Sequence, residues 1–121
     1  MFPIAAMIGA ITCATVAGAV PLISEVFYDA VGSDNGQTFV EIYGEPGSSV
    51  EGLFLEGVNG ANGNIGPTIA LLGIFGPEGL FVVADDMGDG TSGVLSFDQI
   101  ANFDFQNGPD SIGRRKSANV R

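Results

Sequence analysis

The sequence has no histidine and no tryptophan, and it has one cysteine, Cys13, and one lysine, Lys116. Without histidine the chain cannot form a Ser-His-Asp triad, and it has no imidazole for acid–base catalysis or for binding zinc. Because Cys13 has no second cysteine, no disulfide forms within the chain. Carboxylates, hydroxyls and amides are therefore the side chains left for chemistry.

Positive charge is missing from residues 1–113. All four basic residues lie within the last eight positions: Arg114, Arg115, Lys116 and Arg121. The fourteen acidic residues lie between Glu25 and Asp110, and the net charge is −10. Such a body repels phosphate backbones and anionic membranes, so we expect no nucleic acid and no membrane surface as a partner. An acidic surface suits either cation binding or solubility alone, and both interpretations stay open.

The first 24 residues carry no charged side chain. Ala17 and Ala19 are small residues of the kind found before a signal-peptidase cleavage site, which predicts a signal peptide over residues 1–19. No basic segment precedes the apolar run, so we expect either that the true start lies upstream or that the segment is an uncleaved membrane anchor. Either interpretation predicts that the rest of the chain is secreted, periplasmic or on the cell surface.

Nineteen glycines and six prolines interrupt the chain, and no long window after Pro21 has the 3.6-residue period of an amphipathic helix. Short apolar runs separated by turn residues predict strands instead. The predicted strands are residues 22–28, 38–43, 53–56, 68–72, 80–84, 100–105 and 110–112. Six or seven short strands at this spacing favour an all-β fold, an antiparallel β-sandwich.

For two of the predicted strands, the sequence also indicates which faces are buried. Along residues 38–43, Phe39, Glu41 and Tyr43 are expected to point to one face of the strand, and Val40 and Ile42 to the other. Residues 80–84, LFVVA, form a continuous apolar run, which is typical of a strand buried on both faces. A turn is expected just before this strand, over residues 76–79, because Pro77 fixes φ there.

Five segments of the chain occur in the order found in the lamin-tail domain of bacterial, secreted type. They begin at residues 23, 39, 50, 76 and 106 and read ISEV, FVEIY, VEGLFL, GPEGLFVVADD and QNGPDSI. The chain resembles this family, which implies an immunoglobulin-like β-sandwich over residues 20–113. Nuclear members of the family are associated with nucleic acid and chromatin, but this role is not expected here because the basic patch it needs is missing.

After Gly113 the sequence RRKSANVR is polar and basic and has no alternation. In the family this segment continues as a strand, and at least one further strand completes the sandwich. We therefore predict a disordered basic tail over residues 114–121 and a truncated or frameshifted sandwich that lacks its last strand or strands. A basic tail on an ordinary domain is the alternative. A missing strand would leave one sheet edge open.

The best candidate site is the acidic, glycine-rich segment over residues 85–93. Calcium takes six to eight oxygen ligands, so Asp85, Asp86 and Asp89 are predicted to bind calcium. The segment is not an EF-hand, because Met87 occupies a ligand position. The alternative is a solvated connection between two strands.

Two other features have weaker functional interpretations. The loop over residues 32–36 contains Asn35-Gly36, which signals a tight turn, and we interpret it as only a connection. Glu25 and Glu41 lie on strands expected to be adjacent, and paired carboxylates can hydrolyse glycosides. Without a tryptophan platform for sugars, a surface role is favoured for both, and no catalytic residue is assigned.

Taken together, these features predict a non-catalytic, extracytoplasmic binding or tethering module. Its partner is expected to be a protein or a cell-surface polymer, contacted through loops or through an open sheet edge. No cofactor other than calcium is expected. Two rival hypotheses remain: a metal-assisted carboxylate hydrolase and a non-functional fragment of a disrupted gene.

Overall fold

The computed structural model describes residues 18–103 and 111–117. These residues form seven strands: β1 (Leu22–Phe27), β2 (Phe39–Tyr43), β3 (Leu53–Val58), β4 (Ile65–Ala70), β5 (Leu80–Asp85), β6 (Gln99–Ala101) and β7 (Ser111–Lys116). Within the described ranges there is no helix that is long and apolar enough to cross a membrane. The predicted signal peptide lies outside the described residues, apart from its last two positions.

The strands form two sheets that pack face to face, which confirms the predicted all-β sandwich. One sheet has four strands in the order β1-β2-β5-β6, and the other has three in the order β4-β3-β7. The paired strands are antiparallel except for β5 and β6, which run parallel. A parallel pair needs a long crossover, and residues 86–98 supply it.

The core lies between the inner faces of the two sheets. Its buried side chains come from both sheets and from the connections: Val40, Ile42, Phe81, Val83, Leu53, Leu55, Ile69, Val50, Leu71, Phe75 and Phe103. Each such side chain contributes roughly 1.5–3 kcal/mol by leaving water. The rings of Phe75 and Phe81 pack edge to face with their centroids 6.3 Å apart.

The predicted alternation along β2 is confirmed, but β5 is less buried than predicted. Val40 and Ile42 are fully buried, whereas Phe39 and Glu41 are half-buried on the outer face. The outward-facing Leu80 and Val82 of β5 are likewise only half-buried. The expectation of burial on both faces therefore fails at Leu80 and Val82, although Ala84 on the same face is buried. Within the described residues no third layer of strands covers this face.

The predicted turn over residues 76–79 is present and leads the chain into β5. The N–H of Gly79 donates to the carbonyl of Gly76 at 2.9 Å, and the N–H of Gly76 donates to the carbonyl of Leu80 at 2.9 Å. Gly79 has a φ of +78°, and a Cβ at this position would collide with the backbone oxygen of Gly44. Glycine is therefore required at residue 79 both for conformation and for space.

A β-bulge at Ser24 sets the orientation of the side chains of β1. Ile23 lies opposite Ile42 and Glu25 lies opposite Glu41, so Ser24 is an extra residue on its strand. Because a bulge places two residues opposite one, Ile23 and Val26 both pack against the core although they are three positions apart. Simple alternation along residues 22–28 does not predict this arrangement.

The C-terminal strand corrects the sequence analysis. β7 pairs with β3 from Ser111 to Lys116, so the sandwich does not end at residue 113 and residues 114–116 are not a disordered tail. The backbone hydrogen bonds between β7 and β3 do not require apolar side chains. A basic residue is accommodated in β7 where its side chain has a partner, as that of Arg115 does. The guanidinium of Arg115 lies 4.5 Å from the ring centroid of Phe54, and its Nε is 2.8 Å from Oε1 of Glu56. Residues 118–121 of the predicted tail lie outside the described residues.

Candidate functional site

Asp85 is the last residue of β5; it faces the interior of the sandwich and is 4% exposed. Its Oδ2 accepts a hydrogen bond from the N–H of Gly36 at 2.7 Å, and its Oδ1 accepts one from the N–H of Phe103 at 3.2 Å. A buried carboxylate is costly unless its oxygens are hydrogen-bonded, and these two backbone donors meet that need. Asp85 therefore joins the loop before β2 to the segment that follows β6.

Asp86 and Asp89 fold the acidic segment onto itself. Oδ1 of Asp86 accepts hydrogen bonds from the N–H groups of Gly88, Asp89 and Gly90 at 2.7, 3.1 and 2.8 Å. Oδ1 of Asp89 accepts from the hydroxyl of Thr91 at 2.6 Å and from its N–H at 3.0 Å. The Thr91 hydroxyl, followed by the Thr91 N–H, lowers the pKa of Asp89 below its ordinary value. Both carboxylates thus organise the turn.

The three aspartates of the predicted calcium site do not come together. Asp85 is buried, Asp86 is half-buried and Asp89 is exposed. Across residues 18–103 and 111–117, no group of three acidic side chains is placed to hold a metal ion. The carboxylate oxygens of all three aspartates accept hydrogen bonds from backbone N–H groups, and Asp89 also accepts from a hydroxyl, so the geometry gives the calcium prediction no support. Calcium binding itself stays a prediction.

The structure brings together two loops that the sequence analysis treated separately. The side-chain amide of Asn35 donates to the carbonyl of Met87 at 3.1 Å, and the N–H of Gly93 donates to the carbonyl of Gly36 at 2.7 Å. The loop before β2 is therefore more than a connection, because it packs against the acidic segment. The antiparallel pairing of β2 with β5 explains the contact, since it puts the start of one beside the end of the other.

Glu25 and Glu41 lie directly opposite each other on the outer face of the four-stranded sheet. The hydroxyl of Ser24 donates to Oε1 of Glu41 at 2.8 Å. Glu41 lines a cavity of about 420 Å³ together with Glu78 and Asp98, but Glu25 does not. The two carboxylates therefore do not both line this cavity, so its geometry gives sugar hydrolysis no support.

A second cavity, of about 500 Å³, lies beside β7, and we call it the β7 cleft. Residues 18–21 border it, and the connection from β2 to β3 contributes Glu45 and Glu51. β7 itself contributes Arg114 and Lys116. The sequence alone does not reveal this site, because both basic residues lie in the segment predicted to be a disordered tail.

The register of β7 against β3 explains why Arg114 and Lys116 line the cleft. Arg114 lies opposite Leu55 and Lys116 lies opposite Leu53, and both leucines are buried. Residues directly opposite each other in an antiparallel pair point to the same face of the sheet. Both basic side chains therefore leave the backbone on the inner face of the sheet, along its edge strand β7. Their long stems allow the charged groups to reach water there.

Comparisons of the chain with family models, with curated proteins and with solved structures gave no match. The lamin-tail resemblance and the immunoglobulin-like topology therefore stay predictions.

Proposed function

We propose that this chain is a non-catalytic, extracytoplasmic binding module that captures an extended segment of a partner protein on the edge of β7. The observation that carries this proposal is the position of β7. It pairs with β3 on one side, and no strand of the described residues pairs with its other side. An edge strand presents unpaired N–H and C=O groups, and adding a strand to such an edge is a common way of binding a peptide.

The other sheet edges are less suited to this role. β4 contains Pro67, which has no N–H to donate. β6 has three residues, and the side chain of Gln99 connects it to β4 by accepting from the N–H of Leu72 and donating to the carbonyl of Ala70. The bulge at Ser24 twists β1 away from regular pairing. Among the described edge strands, β7 is six residues long and has no proline, no bulge and no side chain that bridges it to the other sheet.

A protein partner is favoured over a surface polymer because the edge offers backbone hydrogen bonds, which an extended polypeptide matches in spacing. An extracytoplasmic location is part of the proposal. It is supported by the signal-peptide pattern over residues 1–19.

The proposal is tested by NMR on the full chain with amide ¹⁵N labelling. Three octapeptides are titrated separately, each alternating threonine with one other residue: glutamate, glutamine or lysine. Saturable shifts of the amides of residues 111–117 by at least one peptide, with the amides of β4 unchanged, are expected. If none of the three peptides perturbs β7, or if all perturb β4 equally, the β7 edge is not the binding site.

A further inference from the structure

The β7 cleft indicates the chemistry of the captured segment, on the assumption that the proposed function is correct. We infer that this segment is acidic and that its carboxylates, at alternate positions, enter the β7 cleft and contact Arg114 and Lys116. The partner is thus a polypeptide with the pattern acid–any residue–acid in an extended conformation.

The spacing of the two basic residues leads to this pattern. Arg114 and Lys116 are two positions apart on one strand, so their Cα atoms lie roughly 6.6 Å apart on the same face. A strand added beside β7 has the same rise per residue. Its side chains two positions apart therefore match the two cations, while the residue between them points to the outer face.

The two basic side chains of the β7 cleft form no ion pair within the described part of the chain. Among residues 18–103 and 111–117, an ion pair joins Arg115 to Glu56 on the outer face, and neither Arg114 nor Lys116 lies within 4.0 Å of a carboxylate oxygen of these residues. Arg114 is half-buried. A partly desolvated guanidinium gains most from a carboxylate, with which it forms charge-assisted hydrogen bonds. These are also two of the four basic residues in an acidic chain.

Inward-facing charges on an edge strand also select against wrong partners. They discourage a neutral strand, which would bury them without compensation, and they repel a basic strand. Two copies of β7 placed edge to edge would bring Arg114 and Lys116 close to the same residues of the other copy. The same two side chains therefore disfavour self-association through β7 and favour an acidic partner.

Glu45 and Glu51 limit the affinity because they line the same cleft. They repel an incoming carboxylate and lower the potential that the two basic residues create. Replacing Glu51 by glutamine should therefore tighten binding of an acidic peptide. A cleft that merely accepts any strand would show no such change.

The test is the same titration, in which the threonine–glutamate peptide is compared with its glutamine and lysine counterparts on the full chain. We expect the glutamate peptide to bind most tightly and its affinity to fall with added salt. Arg114→Gln and Lys116→Gln should each weaken it by roughly threefold to tenfold, and Glu51→Gln should strengthen it by a few fold. Arg115→Gln is the matched control, because it removes the same charge from the outer face.

The outcomes separate this inference from the proposed function. If all three peptides bind β7 equally, strand capture stands and the acidic preference is wrong. If Arg115→Gln weakens binding but Arg114→Gln does not, the carboxylates face outward and the assignment to the β7 cleft is wrong. If no peptide shifts β7, both proposals fail. The amide spectrum of each variant shows at once whether it is folded.

Discussion

The carboxylate of Asp85 accepts a 2.7 Å hydrogen bond from the N–H of Gly36, which lies 49 positions earlier in the chain. The same carboxylate accepts from the N–H of Phe103, so one buried side chain holds three segments together at one end of the sandwich. The sequence motif that predicts a metal ligand is thus used to satisfy backbone groups. Metal binding and the acceptance of backbone hydrogen bonds predict different effects when Asp85 is substituted.

Replacing Asp85 by asparagine should lower the free energy of unfolding by about 2–3 kcal/mol. The asparagine side chain has one oxygen, so its NH₂ group would face one of the two backbone N–H donors and could not accept a hydrogen bond from it. Urea denaturation of the full chain measures the change. Asp29→Asn is the control, since it removes the same charge from an exposed loop. Equal stability of the two variants would mean that the bonds from Gly36 and Phe103 contribute little.

Replacing Thr91 by valine should raise the pKa of Asp89 towards its ordinary value, because the hydroxyl that contributes most to lowering it is removed. Since the folded-state pKa is depressed, the stabilisation is complete above the unfolded-state pKa of about 3.9 and is lost as the pH falls through the lower folded-state value. An NMR titration of the Asp89 carboxyl carbon measures the shift. Thr68→Val, on β4, should leave this pKa unchanged.

The positions of the strands were predictable because short-range patterns encode them. The alternation of Val40 and Ile42 with the outward-facing Phe39 and Glu41, and the turn before β5, are both local features of the sequence. The predicted strand ends differ from the observed ones by at most four residues. An apolar run such as residues 80–84 does not reveal how far its outward-facing side chains are buried, because their burial depends on whether another layer of the structure covers them.

The candidate site was less predictable because it depends on contacts between distant segments. No local pattern shows that the N–H of Gly36 satisfies Asp85, or that Ser24 is the extra residue of a bulge. The C-terminal part of β7, residues 113–116, was missed for a related reason: Arg114 and Lys116 break the apolar alternation that identifies a strand. Their place in the strand follows from pairing with β3, which one segment read alone does not reveal.

Gln99 provides a test of how the two sheets are held together along the β4/β6 side. Its side chain accepts from the N–H of Leu72 at 3.0 Å and donates to the carbonyl of Ala70 at 2.9 Å. Replacing Gln99 by methionine removes both bonds and should cost about 1–3 kcal/mol in the free energy of unfolding. Gln99→Glu, which keeps an acceptor but loses the donor, should also be destabilised. Gln37→Met, at an exposed position, is the control in the same denaturation experiment.

Gly44 provides the sharpest test of core packing. It is buried, and a Cβ there would lie 2.5 Å from Cζ of Phe75, a ring that is itself fully buried and packed against Phe81. Because the ring cannot swing into solvent, Gly44→Ala should lower the free energy of unfolding by about 1–3 kcal/mol. Gly113→Ala in β7 is the matched control: nothing lies within 4 Å of its Cβ position, so its stability should be unchanged or slightly raised. If both alanines are tolerated equally, Phe75 does not pack against Gly44 as described.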